Sequence, residues 1–313
     1  MSEVACFGEP LVGFYAKQDI IEELPSFTMV IGGDTSNVAL GVAKLGHPTM
    51  YITKLGDDIF GKQIWKTWKE ASVDTSYVFI DDSHQTGVYF TLFDSDKKHH
   101  FVYIRRDSAA ANFSVKDAET VSLKNIEIFH LSGISQAISR HGLESSFYFM
   151  RKCKQMGITI SYDVNYRSAL WSQELFKSVA WFTIKHFAYL VTLSLDEARE
   201  LGLRGNPKEI AKKLIRKGPK IVAVKLGNEG CVVSSLEGTE YLKAFDVPVV
   251  DTVGAGDAFT AAMIVGILEH MNLKHMAYFA NAVASLVCKS VGSTSSQPTR
   301  KEVKKFMGVK KHT

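Results

Sequence analysis

In the middle of the 313-residue chain the apolar positions fall in short unbroken runs, at residues 126–131, 158–162, 188–193 and 221–224. Runs of this length read as strands buried on both faces. Between them lie stretches of helix length, at 142–156, 195–201 and 207–217. This alternation predicts a parallel α/β sheet with helices packed on each side. Gly205-Asn206-Pro207 and Gly218-Pro219 fall where such helices should start and stop.

The first third is patterned differently. Residues 11–16, 28–31, 87–93 and 99–105 alternate less cleanly and read as strands that turn back on one another, with Asp94-Ser95-Asp96-Lys97-Lys98 as a hairpin loop. They predict a small accessory sheet with one face open to solvent or substrate. Period-2 arithmetic then separates two adjacent arginines. Arg105 shares a strand face with Phe101 and Tyr103, and Arg106 shares the other with Val102 and Ile104.

Composition bounds the function. Hydrophobic residues make up 46% of the chain and charged ones 22%, and the formal net charge is +4. The charge is not gathered into a basic stripe, so nucleic acid is not the expected partner; the basic tail at 301–311 reads as a solvated last helix. Cys6, Cys153, Cys231 and Cys288 are scattered without a CxxC pair, which suits free thiols in a reducing cytoplasm and disfavours zinc. The beginning of the chain lacks the pattern of a signal peptide, and its most apolar stretches are shorter than the roughly 20 residues of a membrane span. A soluble cytoplasmic protein is expected.

Five segments carry candidate chemistry. Asp251-Thr252-Val253-Gly254-Ala255-Gly256-Asp257 follows a strand-like run at 245–250 and opens a helix that is apolar nearly all round. Glycines there let backbone N–H groups approach an anion, and a carboxylate beside a phosphate needs another task, such as taking a proton from an attacking hydroxyl. A tight turn with Asp as N-cap explains the same residues. A dinucleotide fingerprint is rejected, because Phe259 stands at the third glycine position. Gly56-Asp57-Asp58-Ile59-Phe60-Gly61-Lys62 fits a P-loop spacing, but Gln63 replaces the Ser or Thr and two aspartates would repel phosphate, so a strand-to-helix turn is preferred. Gly32-Gly33-Asp34-Thr35-Ser36-Asn37 precedes a helix at 38–45; capping accounts for Ser36 or Asn37 but not for Gly-Gly-Asp. Asp163-Val164-Asn165-Tyr166-Arg167 closes a buried strand, where Arg167 can grip a carboxylate or phosphate. Lys225-Leu226-Gly227-Asn228-Glu229-Gly230 suits a nucleotide loop and equally a hairpin. The histidines show no ligand spacing and read as surface residues.

Taken in order, Gly-Gly-x-x-x-Asn near residue 35, the strand–turn–helix near 56 and Asp-Thr-Val-Gly-Ala-Gly-Asp near the C-terminus resemble the ribokinase/PfkB family of sugar kinases, from about residue 4 to 306. Gly8-Glu9, Gly32-Gly33-Asp34-Thr35, Ala109-Ala110-Ala111, Leu131-Ser132-Gly133-Ile134-Ser135 and Asp163-x-Asn165-Tyr166-Arg167 are most similar to the 2-keto-3-deoxygluconate kinase branch. The resemblance implies a single Rossmann-like α/β kinase domain over residues 1–313, with a β-sheet lid from segments near 11–31 and 87–106. It also implies ATP and Mg²⁺, with a monovalent cation such as K⁺ as a further candidate, and no metal cage of protein ligands.

Residue by residue, the resemblance makes Asp257 the general base and the amides of Gly254, Ala255 and Gly256 an anion hole. It puts Gly33, Tyr89, Tyr103, Arg105 and Arg167 on a keto acid, with Asp34 and Asn37 nearby. It puts Asn165, Ser194 and the loop of Lys225, Leu226, Gly227, Asn228 and Gly230 on the nucleotide, with Asn281 toward adenine. The expected reaction phosphorylates the C6 hydroxyl of 2-keto-3-deoxygluconate, and two partly buried guanidinium groups lacking another partner argue for an acid substrate. A neutral-sugar kinase and a non-catalytic sugar-acid binder are the alternatives. Val88, Phe90 and Leu92 suggest an exposed apolar face on the accessory sheet and self-association through it.

Overall fold

The computed structural model describes residues 2–16, 26–93 and 99–309; the loop expected at 94–98 and the last lysines of the tail lie outside them. The strands are β1 (Val4–Phe7), β2 (Leu11–Ala16), β3 (Phe27–Gly32), β4 (Thr49–Gly56), β5 (Asp74–Asp81), β6 (Val88–Phe93), β7 (His99–Ile104), β8 (Ile128–Ser132), β9 (Thr159–Asp163), β10 (Leu190–Ser194), β11 (Ile221–Lys225), β12 (Cys231–Ser234) and β13 (Thr239–Leu242). The helices are α1 (Asp34–Lys44), α2 (Ile59–Glu70), α3 (Val115–Thr120), α4 (Gly133–Ala137), α5 (Arg140–Met156), α6 (Gln173–His186), α7 (Leu195–Glu200), α8 (Pro207–Ile215), α9 (Ala255–Leu268), α10 (Leu273–Val287) and α11 (Arg300–Val309).

A nine-stranded sheet runs β13-β12-β11-β10-β9-β8-β1-β4-β5. It is parallel from β11 to β5, with β12 and β13 added antiparallel at one edge. Its inner strands are buried at nearly every position and mostly apolar, because both faces are covered. In β1, Val4 and Cys6 pack with α1, α2, α9 and α10, while Ala5 and Phe7 pack with α5, α6 and α8 on the other side. α9 is apolar all round because it is wedged between the sheet, α1 and α10. The expected helix at 38–45 begins earlier, at Asp34.

From β1 the chain builds outward through β4 and β5, then returns to the other side of β1 for β8 to β11. The strand order therefore reverses between β1 and β8, and the carboxyl ends on either side of that point part to leave a crevice. The topology fixes where a ligand can enter before any side chain is considered.

A separate four-stranded sheet, β3-β2-β6-β7, lies beside the crevice. Its cross-strand register divides it into two faces. Leu11, Tyr89, Phe101 and Tyr103 line the crevice, and Arg105, just beyond β7, continues that row. The opposite face carries Phe14, Met29, Phe90, Val102 and Ile104. Val88, Phe90 and Leu92 are half-buried on that face, and its exposed apolar area comes instead from Phe27, Met29, Val102 and Ile104.

Three expectations need correction. Residues 245–250 are not a strand: they run as irregular chain along the crevice, and Pro248 has no N–H to donate to a ladder. Neither Ser36 nor Asn37 caps α1. The N-cap is Gly33, at φ 103°, where a side chain would collide with the Glu9 carbonyl; Ser36 instead accepts from Trp68 Nε1 at 3.0 Å. His130 is not at the surface but buried in β8, with Nδ1 3.0 Å from Ser161 Oγ, and burial lowers its pKa to about 4. Cys6, Cys153, Cys231 and Cys288 are all free thiols. No helix among the described residues is long and apolar enough to cross a membrane.

The P-loop-like segment proves to be the turn from β4 into α2. Asp58 caps that helix by accepting from Gly61 N at 2.7 Å, and its second oxygen accepts from Thr86 N at 2.7 Å. Lys62 is turned to solvent on Asp57. Asp58→Ala should therefore lower the denaturation free energy by about 1–2 kcal/mol, the size of a lost helix cap. Lys62→Ala should leave the KM for nucleotide unchanged, which steady-state kinetics will read directly.

Candidate active site

The crevice is a cavity of about 1140 Å³, and the carboxyl ends of the central strands supply its floor. Glu9 follows β1, Ile134 follows β8, Asp163 ends β9, Ser194 ends β10 and Lys225 ends β11. The N-terminus of α1 contributes Gly33, Asp34 and Asn37, and that of α9 contributes Gly254, Ala255, Gly256 and Asp257. Two helix N-termini thus face one crevice, an arrangement that favours anions.

The N-cap of α9 is Gly254, not an aspartate, and no side chain caps the helix. Gly254 adopts φ 83°, and a Cβ there would meet the Cβ of Ser293 at 2.5 Å, so only glycine fits. The Ala255 N–H already donates to the Thr252 carbonyl at 3.2 Å. The first-turn amides of Gly256 and Asp257 are left to serve a ligand. Lys225 stands beside Gly256.

Asp257 is half-buried on the cavity wall. Desolvation by burial, reinforced by Asp34 and Asp163, pushes its carboxyl up to about 8, against the opposing pull of the Asn37 hydrogen bond and of Lys225. Asn37 Nδ2 donates to Asp257 Oδ2 at 2.7 Å across 220 positions of sequence. Asp34 is also raised by burial, with Ser132 and the Thr35 amide opposing, and its Oδ2 accepts from Asn165 Nδ2 at 3.0 Å. Asn165 holds a left-handed φ of 37° at the end of its strand. A carboxylate poised near neutrality beside free helix-terminal amides can accept a proton while a developing anion is held in place.

Two cations answer this acidity, and both are already paired. Lys225 Nζ lies 3.0 and 2.9 Å from the two oxygens of Asp163, which also accepts from Thr260 Oγ1 at 3.2 Å. Burial works against the Lys225 ammonium, yet Asp163 and Glu197 hold it above its ordinary value. Arg105 forms an ion pair with Glu9, which is fully buried and also accepts from Ser108 Oγ at 2.5 Å. Burial raises the Glu9 carboxyl, and Arg105 and Ser108 oppose that rise. The expectation that both arginines lack a partner therefore fails for Arg105. Arg167 remains half-exposed, its Nη1 donating to the Tyr166 carbonyl and lying 4.0 Å from Glu197.

All but one of the residues to which the resemblance gives a role line this one cavity. The exception is Leu226, whose side chain packs against the hydrophobic core. Loop 225–230 is the hairpin between β11 and β12, and all of its residues but Leu226 and Glu229 line the cavity. Asn281 lines the cavity, but its Nδ2 donates to the carbonyls of Leu242 and Lys243 at 3.0 and 3.2 Å, so it holds the wall at 243–249 in place. Sequence reasoning missed Glu9 as the partner of Arg105 and Asp163 as the partner of Lys225. The signal available was an acid at or just beyond the carboxyl end of a buried strand, Glu9 after β1 and Asp163 closing β9. Among the described residues no group of three or more His, Cys, Asp or Glu side chains converges on a metal position.

The pfkB family model of carbohydrate kinases matches residues 1–300. A 2-dehydro-3-deoxygluconokinase of Bacillus subtilis (strain 168) is 30% identical over 99% of this chain and 96% of its own. Fructokinase-1 of Oryza sativa subsp. japonica is also 30% identical, over 97% of each. Among solved structures, an uncharacterized sugar kinase from Pyrococcus horikoshii in complex with ATP is 28% identical, with a TM-score of 0.83 over 96% of both chains.

The Asp257 environment makes a signed prediction. Between about pH 4 and about pH 8 the folded protein keeps a proton that the unfolded chain has lost, so this residue makes stability fall as pH rises. Asp257→Asn removes that burden. Its thermal midpoint should exceed the parent's at pH 8.5, and the advantage should vanish toward pH 4.

Proposed function

The chain belongs to the pfkB family of carbohydrate kinases, and from that premise we propose that it transfers the γ-phosphoryl of ATP to the C6 hydroxyl of 2-keto-3-deoxygluconate, giving 2-keto-3-deoxy-6-phosphogluconate. One observation carries the reading of the acceptor as an acid. Tyr89, Tyr103 and Arg105 from the small sheet and Arg167 from the loop after β9 line the same cavity as Asp257, and the Arg167 guanidinium is held only loosely. A carboxylate would complete its planar fork.

In this mechanism Asp257 takes the proton of the C6 hydroxyl as that oxygen attacks the γ-phosphorus, and the bond from that phosphorus to the β,γ-bridging oxygen breaks, with ADP as the leaving group. The amides at the start of α9 stabilise charge on the transferred group, with Gly254 giving the backbone its close approach. Lys225 is held by Asp163 at the phosphate side, and the apolar wall at Phe245, Val247 and Ala284 receives the base of the nucleotide. Mg²⁺ supplies charge neutralisation on the phosphates. Among the described residues no group of three or more His, Cys, Asp or Glu side chains forms a cage for it, and it would arrive on the nucleotide with most of its water. The small sheet acts as a lid, and its exposed apolar outer face at Phe27, Met29, Val102 and Ile104 is where two copies associate.

A neutral hexose is the second reading, favoured by the Glu9–Arg105 pair. Because Glu9 already compensates Arg105, a sugar without a carboxylate leaves no buried guanidinium stranded. Fructokinase relatives at the same level of identity suit this reading. Arg167 then decides between the two.

ATP-coupled turnover on 2-keto-3-deoxygluconate, its galactonate epimer, fructose and ribose tests the proposal, with Arg167→Ala run in parallel. The keto acids should be turned over and the neutral sugars should not. Arg167→Ala should raise the KM for the keto acid by about ten- to a hundredfold, the worth of one charge-assisted contact. Turnover of fructose with no response to Arg167→Ala selects the second reading.

A further inference from the structure

The hydrogen bonds around Asp257 run on past Asn37 to side chains that line no part of the cavity. Thr294 is buried in the segment after α10, its Oγ1 2.7 Å from the Ile31 carbonyl oxygen and 3.0 Å from Asn37 Oδ1. In this arrangement the hydroxyl is the donor, its single proton shared between the two oxygens. An Asn37 amide that accepts on the Thr294 side must present its Nδ2 to Asp257, as it does at 2.7 Å. Lys44, on the same helix as Asn37, fixes the segment from behind by donating to the carbonyls of Thr294 at 3.4 Å and Gln297 at 3.0 Å. The same segment carries Ser293, against which Gly254 is packed.

We propose that Thr294 is a positioning residue for the reaction: it anchors the Asn37 side chain at the point from which its Nδ2 donates to Asp257, and Lys44 clamps the Thr294 segment that does so. Rotated by half a turn, the amide would set Oδ1 against the Asp257 carboxyl, an arrangement that is favourable only when the carboxyl is protonated. By keeping the Asn37 amide within hydrogen-bond reach of Asp257, the Thr294 hydroxyl favours the ionised, proton-accepting form of that carboxyl. The other charged groups facing Asp257 are Asp34 on α1, Asp163 at the end of β9 and Lys225 at the end of β11, with the Glu9–Arg105 pair on the same cavity. Asp251 is engaged by the N–H groups of Val253 and Gly292. None of these touches Thr294, so a change there acts on Asp257 through Asn37.

The inference rests on Asp257 as the base, and the experiment separates the two claims. The pH dependence of kcat/KM is measured on the full-length kinase, with its best sugar substrate, for the parent, Thr294→Val and Thr294→Ser. Val should move the acid limb upward by about one pH unit, the size of one hydrogen bond to a charged group, and Ser should restore it. Lys44→Met should move it in the same direction by less, and it stands in if the Val protein does not fold. A pH-independent loss of activity with an unmoved limb overturns the proposal, as does a Ser variant that behaves like Val. An Asp257→Asn protein that keeps turnover removes the premise itself. Loss of turnover there, with an unmoved limb in Thr294→Val, removes the positioning role alone.

Discussion

The structure depends on how four carboxyl groups are kept at the open ends of a parallel sheet with only two buried cations to balance them. Glu9 and Asp163 are neutralised inside the protein by Arg105 and Lys225. Asp34 and Asp257 receive only hydrogen bonds, from Asn165 and Asn37. The division is chemically productive. Asp257, desolvated and hydrogen-bonded rather than ion-paired, has a proton affinity suited to taking a proton near neutral pH. The reversal of strand order between β1 and β8 makes this possible, because it parts the strands where the two helix N-termini converge.

This arrangement also ties specificity to stability. Removing Arg105 would strand the buried Glu9, and removing Lys225 would strand Asp163, so each variant would lose folding free energy together with binding. Arg167 is half-exposed and weakly engaged, and it is free of that coupling. In the proposed reaction, substrate choice is therefore most open to change at Arg167, a residue whose loss the fold can tolerate.

Much of this was legible in the sequence, and the reasons differ by element. The buried strands were visible because parallel sheets covered on both faces demand unbroken apolar runs. The row of Phe101, Tyr103 and Arg105 was visible because a strand's two-residue period does not depend on what it packs against. The fate of Arg105 was not visible: Glu9 lies 96 positions away, and only the folded topology brings the ends of β1 and β7 together. The same holds for the hydrogen bond between Asn37 and Asp257: the sequence offered Asp257 as a base or a cap and Asn37 as a cap or a neighbour of the substrate, with nothing to join the two. Residues 245–250 misled because Val-Pro-Val-Val carries strand-like composition, while the Pro and the cavity beside it leave no ladder to join.

The central claim is that Asp257 takes the acceptor proton while neighbouring groups hold the substrates. It is tested most directly by measuring turnover and sugar affinity together in Asp257→Asn, the first by coupled assay and the second by calorimetry. The account requires kcat to fall by about three orders of magnitude or more, while the dissociation constant for the sugar changes by no more than a few-fold. Near-parental turnover, or a loss of binding that accounts for the whole loss of rate, would contradict it.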